Sequence, residues 1–123
     1  MTIMEALTRI DEIKPNTCSA KRKIAGLSVL DALVKTTVID RHEGAEDVKF
    51  SLYDTSTPTD TVLLVPPPYD VIYLFYLEMC LNRINGEYER YNNSAKLYNA
   101  AFDDYAKYYR SLHRPLGARF KHF

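Results

Sequence analysis

The sequence predicts a mainly α-helical protein, a small bundle of about four helices that forms one domain. Apolar residues recur at helical spacing in four separate segments. Residues typical of helix starts and stops stand between these segments. A chain of 123 residues is long enough for one hydrophobic core and too short for two domains of ordinary size. Between residues 40 and 68 the helical period disappears.

The first two helices have recognisable start signals. Thr2 followed by Glu5 is a capping-box pattern, and apolar residues then recur at helical spacing until Pro15 ends the helix. Ser19 is a candidate N-cap for a second helix, whose apolar positions run from residue 24 to residue 38. Each of these helices is therefore expected to bury one face.

The third and fourth helices differ in character. The stretch PPPYD (residues 66–70) is expected to open the third helix, because proline suits a first helical turn. The residues that follow, 71–81, are apolar on nearly every face, so this helix is either central to the bundle or shared with a neighbouring subunit. Asn85-Gly86 predicts its end, although the residues EYERYNN (87–93) could continue as a helical turn. Ser94 is a candidate cap for a last helix that would run to His113.

The segment from residue 40 to residue 68, called the acidic segment below, is predicted to be a long loop. Its Asp, Ser and Thr cluster at residues 54–61 is typical of turns. Phe50 with Leu52, and residues 62–65, are candidates for short strands that would pair as a β-hairpin. A loop this long in so small a domain is usually functional.

Charge is unevenly distributed although the whole chain is neutral. Sixteen Lys and Arg balance sixteen Asp and Glu, which argues against a protein that coats nucleic acid. Residues 40–70 contain seven acids and two bases, whereas residues 113–123 contain three bases and no acid. Such polarity orients a molecule in the field of a partner. The acids taken as the face of the loop are Glu43, Glu46, Asp47, Asp54 and Asp60.

The last nine residues, PLGARFKHF (115–123), have two interpretations. One is a frayed terminus, which is common at the ends of domains. The other is an extended arm that becomes ordered on a partner, with Phe120 and Phe123 as apolar anchors and Arg119 and Lys121 pairing with acids. We favour the arm, because tails that serve only solubility rarely contain two phenylalanines in four residues.

The sequence carries no catalytic or cofactor signature, so we expect no enzyme and no cofactor. The three histidines, at positions 42, 113 and 122, have no partner at zinc-ligand spacing. The acids near His42 could bind a cation weakly, but they lack the ligand order of an EF-hand, which favours a solvated loop. Four isolated glycines cannot form a phosphate-binding loop. Cys18 and Cys80 are expected to be reduced and structural.

Ten tyrosines without a tryptophan point to protein contacts. Tyrosine combines apolar area with a polar tip, and it is enriched where a protein surface is buried by another protein. About half of the tyrosines are expected in the core. The candidates for contacts between subunits are Tyr69, Tyr73, Tyr76, Tyr108 and Tyr109.

No membrane segment or signal peptide is expected, and the protein is predicted to be soluble and made in the cytoplasm. The N-terminal residues carry charges where a signal peptide would be apolar. The longest apolar run, residues 71–81, is about half of the roughly 20 residues that span a bilayer.

Most of the chain resembles a known family. The stretches VPPPYD (65–70) and NGEYERYNNS (85–94) are the most specific, and EALTRIDEIKPN (5–16), LSVLDALV (27–34) and GARFKHF (117–123) fit the same pattern. Together they resemble the head–tail connector, or adaptor, proteins of long-tailed bacteriophages and prophages. Gly26 departs from that pattern, in which a bulkier residue is expected.

The resemblance implies a structural virion protein that forms a twelve-fold ring below the portal and extends the DNA channel toward the tail. It implies contacts with the portal, with the downstream neck or tail proteins and with further copies of the chain, and no catalysis. The acidic segment would approach the channel, where its charge lets genomic DNA pass without specific binding. Residues 1–114 would form the helical domain, and residues 115–123 the arm that docks on the portal. The isolated protein is either a monomer or a ring.

Two other functions are open. One is a different neck or tail-completion protein of the phage. The other is a small DNA-associated phage regulator that uses Lys21, Arg22 and Lys23, although three adjacent bases are more often a solvated helix face. A helix-turn-helix is not expected, because the acidic segment follows the second helix in place of a short turn and a recognition helix.

Overall fold

The structure is a computed structural model that describes residues 1–116, and it confirms the mainly helical bundle. Two short 3-10 helices, Ile39–Arg41 and Ala45–Asp47, follow the second α-helix. Within the described residues there is no β-strand. The α-helices are α1 (Ile3–Ile13), α2 (Ala20–Thr37), α3 (Val71–Ile84) and α4 (Tyr88–Leu112).

The predicted starts of α1 and α2 are confirmed by their caps. The Thr2 hydroxyl accepts a hydrogen bond from the Glu5 backbone N–H at 3.1 Å, and the Glu5 carboxylate accepts one from the Thr2 N–H at 3.4 Å. The Ser19 hydroxyl accepts a hydrogen bond from the Arg22 N–H at 3.2 Å. Each cap satisfies a backbone donor that has no partner inside its helix, which fixes where the helix begins.

The apolar helix α3 is central, as one of the two alternatives predicted. It packs against α1, α2 and α4, and its buried side chains come from several faces. Gly26 of α2 lies at one of these contacts. A Cβ atom at Gly26 would lie 3.5 Å from Cδ2 of Leu77 and 3.7 Å from Cε2 of Tyr76. Both are ordinary contact distances, so a methyl group at this position would fit between α2 and α3.

The three prolines lie before α3 and not in its first turn, contrary to prediction. The backbone N–H of Tyr69 donates to the carbonyl of Pro66 at 2.9 Å, which forms a turn ahead of the helix at Val71. A residue that precedes a proline is driven toward extended backbone, so Pro66 and Pro67 are poorly suited to a helix. Asn85 and Gly86 do end α3, with Gly86 at a φ of 71°.

The last helix begins at Tyr88, six residues before the predicted cap at Ser94. Ser94 lies inside α4, where its hydroxyl donates to the carbonyl of Arg90 at 2.8 Å. It also accepts a hydrogen bond from Nδ2 of Asn82 at 3.1 Å. A serine hydroxyl inside a helix can donate a hydrogen bond to a backbone carbonyl of the preceding turn, so a serine does not have to mark a helix start.

The predicted β-hairpin in the acidic segment does not form. Residues 50–52 and 62–65 do not pair with each other; Val62 instead makes an isolated antiparallel bridge with Thr2. The backbone N–H groups of Ile3 and Met4 donate to the carbonyls of Thr61 at 3.1 Å and Thr59 at 3.0 Å. These two donors lie in the first turn of α1 and have no partner within the helix. They therefore bind the backbone of residues 59–61, beside the segment 62–65 that was predicted to be a strand.

Candidate interaction surfaces

A fully buried carboxylate on α2 anchors the acidic segment to the bundle. The Asp31 side chain has no solvent exposure. One of its oxygens accepts a hydrogen bond from the Tyr73 hydroxyl at 2.6 Å. The other accepts one from the Tyr53 hydroxyl at 2.6 Å and one from the Leu64 backbone N–H at 3.1 Å. We call these four residues the Asp31 cluster, and it joins α2, α3 and the acidic segment.

Two further hydrogen bonds extend the Asp31 cluster. The Tyr73 hydroxyl accepts the backbone N–H of Val65 at 2.7 Å while it donates to Asp31. The Ser28 hydroxyl, one turn before Asp31, accepts the N–H of Tyr53 at 2.9 Å. The acidic segment is thereby held at Tyr53 and again at residues 64–65, in addition to its backbone bonds to the start of α1.

Burial sets the titration of the Asp31 cluster. It raises the pKa of Asp31 above its ordinary value, although the hydrogen bonds from Tyr53 and Tyr73 oppose the shift. Burial and the nearby carboxylate both raise the pKa values of Tyr53 and Tyr73. The two hydroxyls therefore remain protonated donors at neutral pH.

The sequence does not identify Asp31 as a site residue, although it gives a signal. Asp31 occupies an apolar position in the helical repeat of α2, between Leu27 and Val34. An acid at a core position requires hydrogen-bond donors from elsewhere in the fold. The tyrosines of other segments are the available donors, but their pairing with Asp31 depends on tertiary structure.

The acids of the acidic segment lie at its surface. Glu46, Asp47, Asp54 and Asp60 are exposed and Glu43 is half-buried. The Asp54 carboxylate accepts hydrogen bonds from Ser56 and Thr57, and the bonds to Ser56 are the main reason that its pKa lies below the ordinary value. The local turns thus present negative charge outward.

The start of the predicted arm is tied to the acidic segment. Pro115 makes an isolated antiparallel bridge with His42, and the backbone N–H of Glu43 donates to the carbonyl of Arg114 at 2.8 Å. His42 is buried, and its Nδ1 lies 2.6 Å from the carbonyl of Val38. Arg114 and Pro115, which follow α4, thus lie beside the beginning of the acidic segment.

The portal-docking residues proposed from the sequence lie outside the described residues. These are Arg119, Phe120, Lys121 and Phe123. Their role stays a prediction.

The tyrosines divide between core and surface. Tyr73, Tyr98, Tyr105 and Tyr109 are buried, and burial raises the pKa of Tyr98 to about 12. Tyr88 is exposed. This division agrees in outline with the expectation that about half would be core residues.

Two of the tyrosines predicted at subunit contacts belong to the core. Tyr73 is fully buried and its hydroxyl is bonded within the chain, so it has no surface for a neighbour. Tyr109 is buried too, with its ring stacked on His113 at 3.9 Å between ring centroids. The prediction was wrong for these two because helical spacing alone does not say which face of an apolar helix meets the core.

The other three tyrosine candidates are partly accessible. Tyr69 and Tyr108 stack with their ring centroids 4.5 Å apart, and both are half-buried. Tyr76 is half-buried and packs against Tyr98 at 5.1 Å between centroids. These three retain surface for an intermolecular contact.

The basic cluster at the start of α2 is smaller than its sequence suggests. Lys23 is buried, and its ammonium lies 2.6 Å from the Asp11 carboxylate. That hydrogen bond is the main reason that the pKa of Asp11 lies below its ordinary value. Lys21 and Arg22 are exposed. The sequence cluster therefore supplies two accessible bases and not three.

Cys18 and Cys80 are free thiols, and burial raises the pKa of the Cys80 thiol. Residues 1–116 contain no group of three or more His, Cys, Asp or Glu side chains placed to hold a metal ion. Among the helices of the same range, none combines the length and hydropathy of a membrane span.

Comparisons with known proteins identify no relative. No protein-family model matches the chain, and no curated protein or solved structure is significantly similar to it.

Proposed function

We propose that this chain is a non-catalytic structural protein of a tailed-phage virion, a head–tail connector that forms a ring below the portal. In this role it extends the DNA channel and joins the head to the neck or tail proteins that follow. The protein assembles in the bacterial host and ends in the virion neck. The twelve-fold order of the ring comes from the sequence resemblance described above.

The observation that carries the proposal is the anchored acidic segment. The Asp31 cluster holds this segment at Tyr53 and Leu64, and the backbone bonds to α1 hold it at residues 59–61. Four of its acids, Glu46, Asp47, Asp54 and Asp60, remain exposed. A fixed, negatively charged surface repels DNA phosphates over a distance of about 10 Å at 0.1 M salt. This property suits a channel through which DNA has to pass without sticking.

The predicted arm provides the second support. Its first residue, Pro115, is held against His42, so residues 117–123 start from a fixed place on the bundle. Their sequence contains two bases, Arg119 and Lys121, and two phenylalanines, with no acid among them. We propose that this stretch becomes ordered in an acidic, apolar groove of the portal.

A truncation after Leu116 tests the proposal. It removes the arm but keeps the bridge between His42 and Pro115, so the bundle should fold with an unchanged far-ultraviolet circular dichroism spectrum and melting temperature. The full chain should co-sediment with portal-bearing heads of the phage, and the truncated chain should not. Equal attachment of the two chains would contradict the role of the arm.

A matched variant separates the anchors from the bulk charge. The pair Phe120→Ser and Phe123→Ser removes the apolar anchors and keeps both bases. The pair Arg119→Gln and Lys121→Gln removes the two bases and keeps both phenylalanines. Both pairs should weaken attachment, and only the loss caused by the first pair should persist at high salt.

The alternative function is that of a small DNA-associated regulator, which would contact DNA through Lys21, Arg22 and Lys23. The ion pair of Lys23 with Asp11 weakens this alternative, because it leaves two accessible bases in place of three. A gel-shift assay with double-stranded DNA at physiological salt discriminates between the two. A connector should form no specific complex, whereas a regulator should form one that Lys21→Gln with Arg22→Gln abolishes.

A further inference from the structure

α2 carries an exposed apolar stripe, which we call the α2 ridge. It consists of Ala25, Val29 and Leu33, which are four residues apart and so lie on one side of the helix. Val29 is 57% and Leu33 is 40% exposed. The buried side chains of α2, such as Leu27 and Val34, lie on the opposite side. The ridge is therefore apolar surface that does not serve the core.

A groove of matching character lies between α3 and α4, and we call it the α3–α4 groove. It has a volume of about 400 Å³. Val71 and Phe75 of α3 line one side, and Leu97, Ala101 and Asp104 of α4 line the other. Leu97 is 50% exposed. An apolar ridge on a helix and a groove between two helices are the two halves of ridges-into-grooves packing.

The α2 ridge and the α3–α4 groove lie on different surfaces of the bundle. Tyr76 and Leu77 of α3 contact Gly26 of α2. At about 100° per residue, Val71 and Phe75 lie on the opposite side of α3 from that contact. A chain with complementary surfaces that face in different directions associates head to tail, and such contacts close into rings when the rotation allows.

The charges beside these two surfaces are opposite. Arg22 lies three residues before Ala25, at the N-terminal end of the α2 ridge, and it is exposed. The one acid of α2 is Asp31, which is buried, so the outer face of this helix carries positive charge only. Asp104 is exposed at the edge of the α3–α4 groove.

We propose that the α2 ridge of one copy packs into the α3–α4 groove of a second copy, with Arg22 of the ridge beside Asp104 of the groove. The contact rests on the proposed connector function, for which it supplies the interface between neighbouring subunits. It also gives a use to the exposed apolar surface of Val71 and Leu97 and to the exposed Arg22 at the start of α2.

Disulfide trapping tests the contact. Val29→Cys and Leu97→Cys are introduced singly and together in a chain that carries Cys18→Ser and Cys80→Ser, and each protein is oxidised with copper phenanthroline at its highest soluble concentration. A mixture of the two single variants should form a mixed dimer, and the double variant should form a ladder of multimers, because a disulfide requires the two Cβ atoms to approach within about 4.5 Å.

The controls exclude other arrangements. Glu12→Cys with Lys107→Cys places thiols at exposed positions outside both surfaces and should give no ladder. Efficient dimers of the Val29→Cys variant alone would indicate a two-fold contact and would overturn the proposal. The absence of a mixed dimer would overturn it as well, whatever other protein binds either surface.

Charge exchange supplies an independent readout. Arg22→Asp should reduce the cross-linked yield by about tenfold, which corresponds to a loss of about 1.4 kcal/mol. Asp104→Arg in the same cysteine background should restore the yield in the Arg22→Asp chain. If the protein forms the multimer ladder but does not attach to portal-bearing heads, the subunit contact is supported and the connector function is contradicted. If the protein attaches to the heads but forms no mixed dimer, the connector function is supported and the subunit contact is contradicted.

Discussion

The carboxylate of Asp31 accepts a hydrogen bond from the hydroxyl of Tyr73 at 2.6 Å, in the buried interface of α2 with α3. The same carboxylate binds Tyr53 and the backbone of Leu64, both in the acidic segment. A single side chain therefore makes hydrogen bonds to the neighbouring helix α3 and to two points of the acidic segment. Because an unpaired buried donor costs about 1–3 kcal/mol, this cluster is sensitive to substitution.

Replacement of Asp31 by alanine should destabilise the protein by about 3 kcal/mol, because it leaves two hydroxyls and one backbone N–H without their acceptor. Urea unfolding followed by circular dichroism measures the loss. Asp54→Ala is the matched control, since Asp54 is an exposed acid whose bonds are local, and it should cost less than about 1 kcal/mol. Equal effects of the two variants would contradict the role given to the cluster.

Asp31 should also affect how stability depends on pH. Its pKa is raised in the folded protein, so between the ordinary value of 3.8 and the folded value the native state holds a proton that the unfolded state has lost. The contribution of this group to stability is therefore fully present below the unfolded pKa and declines as the pH rises. Relative to Asp31→Asn, the wild type should lose unfolding free energy from pH 4 upward.

Urea unfolding of both chains at a series of pH values measures this difference. The surface acids with lowered pKa values, such as Asp11 and Glu87, have the opposite slope, but they are common to both chains and cancel in the comparison. A difference that grows in favour of the wild type with rising pH would show that the carboxylate is favoured by its donors more than it is penalised by burial.

Replacement of Gly26 by alanine should stabilise the protein by about 0.5–1 kcal/mol. The new methyl would meet Leu77 at 3.5 Å, an ordinary contact distance, and alanine is the better helix former. Gly26→Phe should destabilise it, because a large side chain would separate α2 from α3. Thermal unfolding of the two variants gives the sign of each change. A loss of stability in Gly26→Ala would mean that α2 lies closer to α3 than described.

Replacement of Ser94 by alanine should cost about 1–2 kcal/mol. Asn82 is buried and donates to the Ser94 hydroxyl at 3.1 Å, while no partner is found for its Oδ1 among the described residues. Removal of the hydroxyl would leave the Asn82 amide with no side-chain acceptor. Ser111→Ala, an exposed serine of the same helix, serves as the control and should change stability by less than about 0.5 kcal/mol. An equal effect at both sites would contradict the account of Asn82.

The starts of α1 and α2 could be predicted from the sequence, because each depends on a capping residue and a residue close to it in the chain. The caps at Thr2 and Ser19 each involve a donor three residues away, so the sequence contains the whole interaction. The predictions for Ser94 and for the prolines before α3 were wrong, because serine and proline are compatible with more than one position relative to a helix start. The fold class could be predicted for the same reason as the starts of α1 and α2, because the helical spacing of apolar residues is visible within each of the four segments.

Features that depend on distant residues could not be predicted. Residues 62–65 have strand-like composition, but Thr2 and Asp31 take their backbone groups. Tyr73 and Tyr109 have the composition of interface residues and lie in the core, because the bundle turns those faces inward. The α3–α4 groove exists only once the two helices pack together, and no single stretch of sequence contains it.

A reconstruction of the assembled phage neck tests the central claim most directly. The account predicts a ring of this chain immediately below the portal, with residues 117–123 in contact with a portal groove and the acids of the acidic segment toward the channel. Particles whose neck lacks density for this chain, or in which the chain ends free of any neighbour, would contradict it.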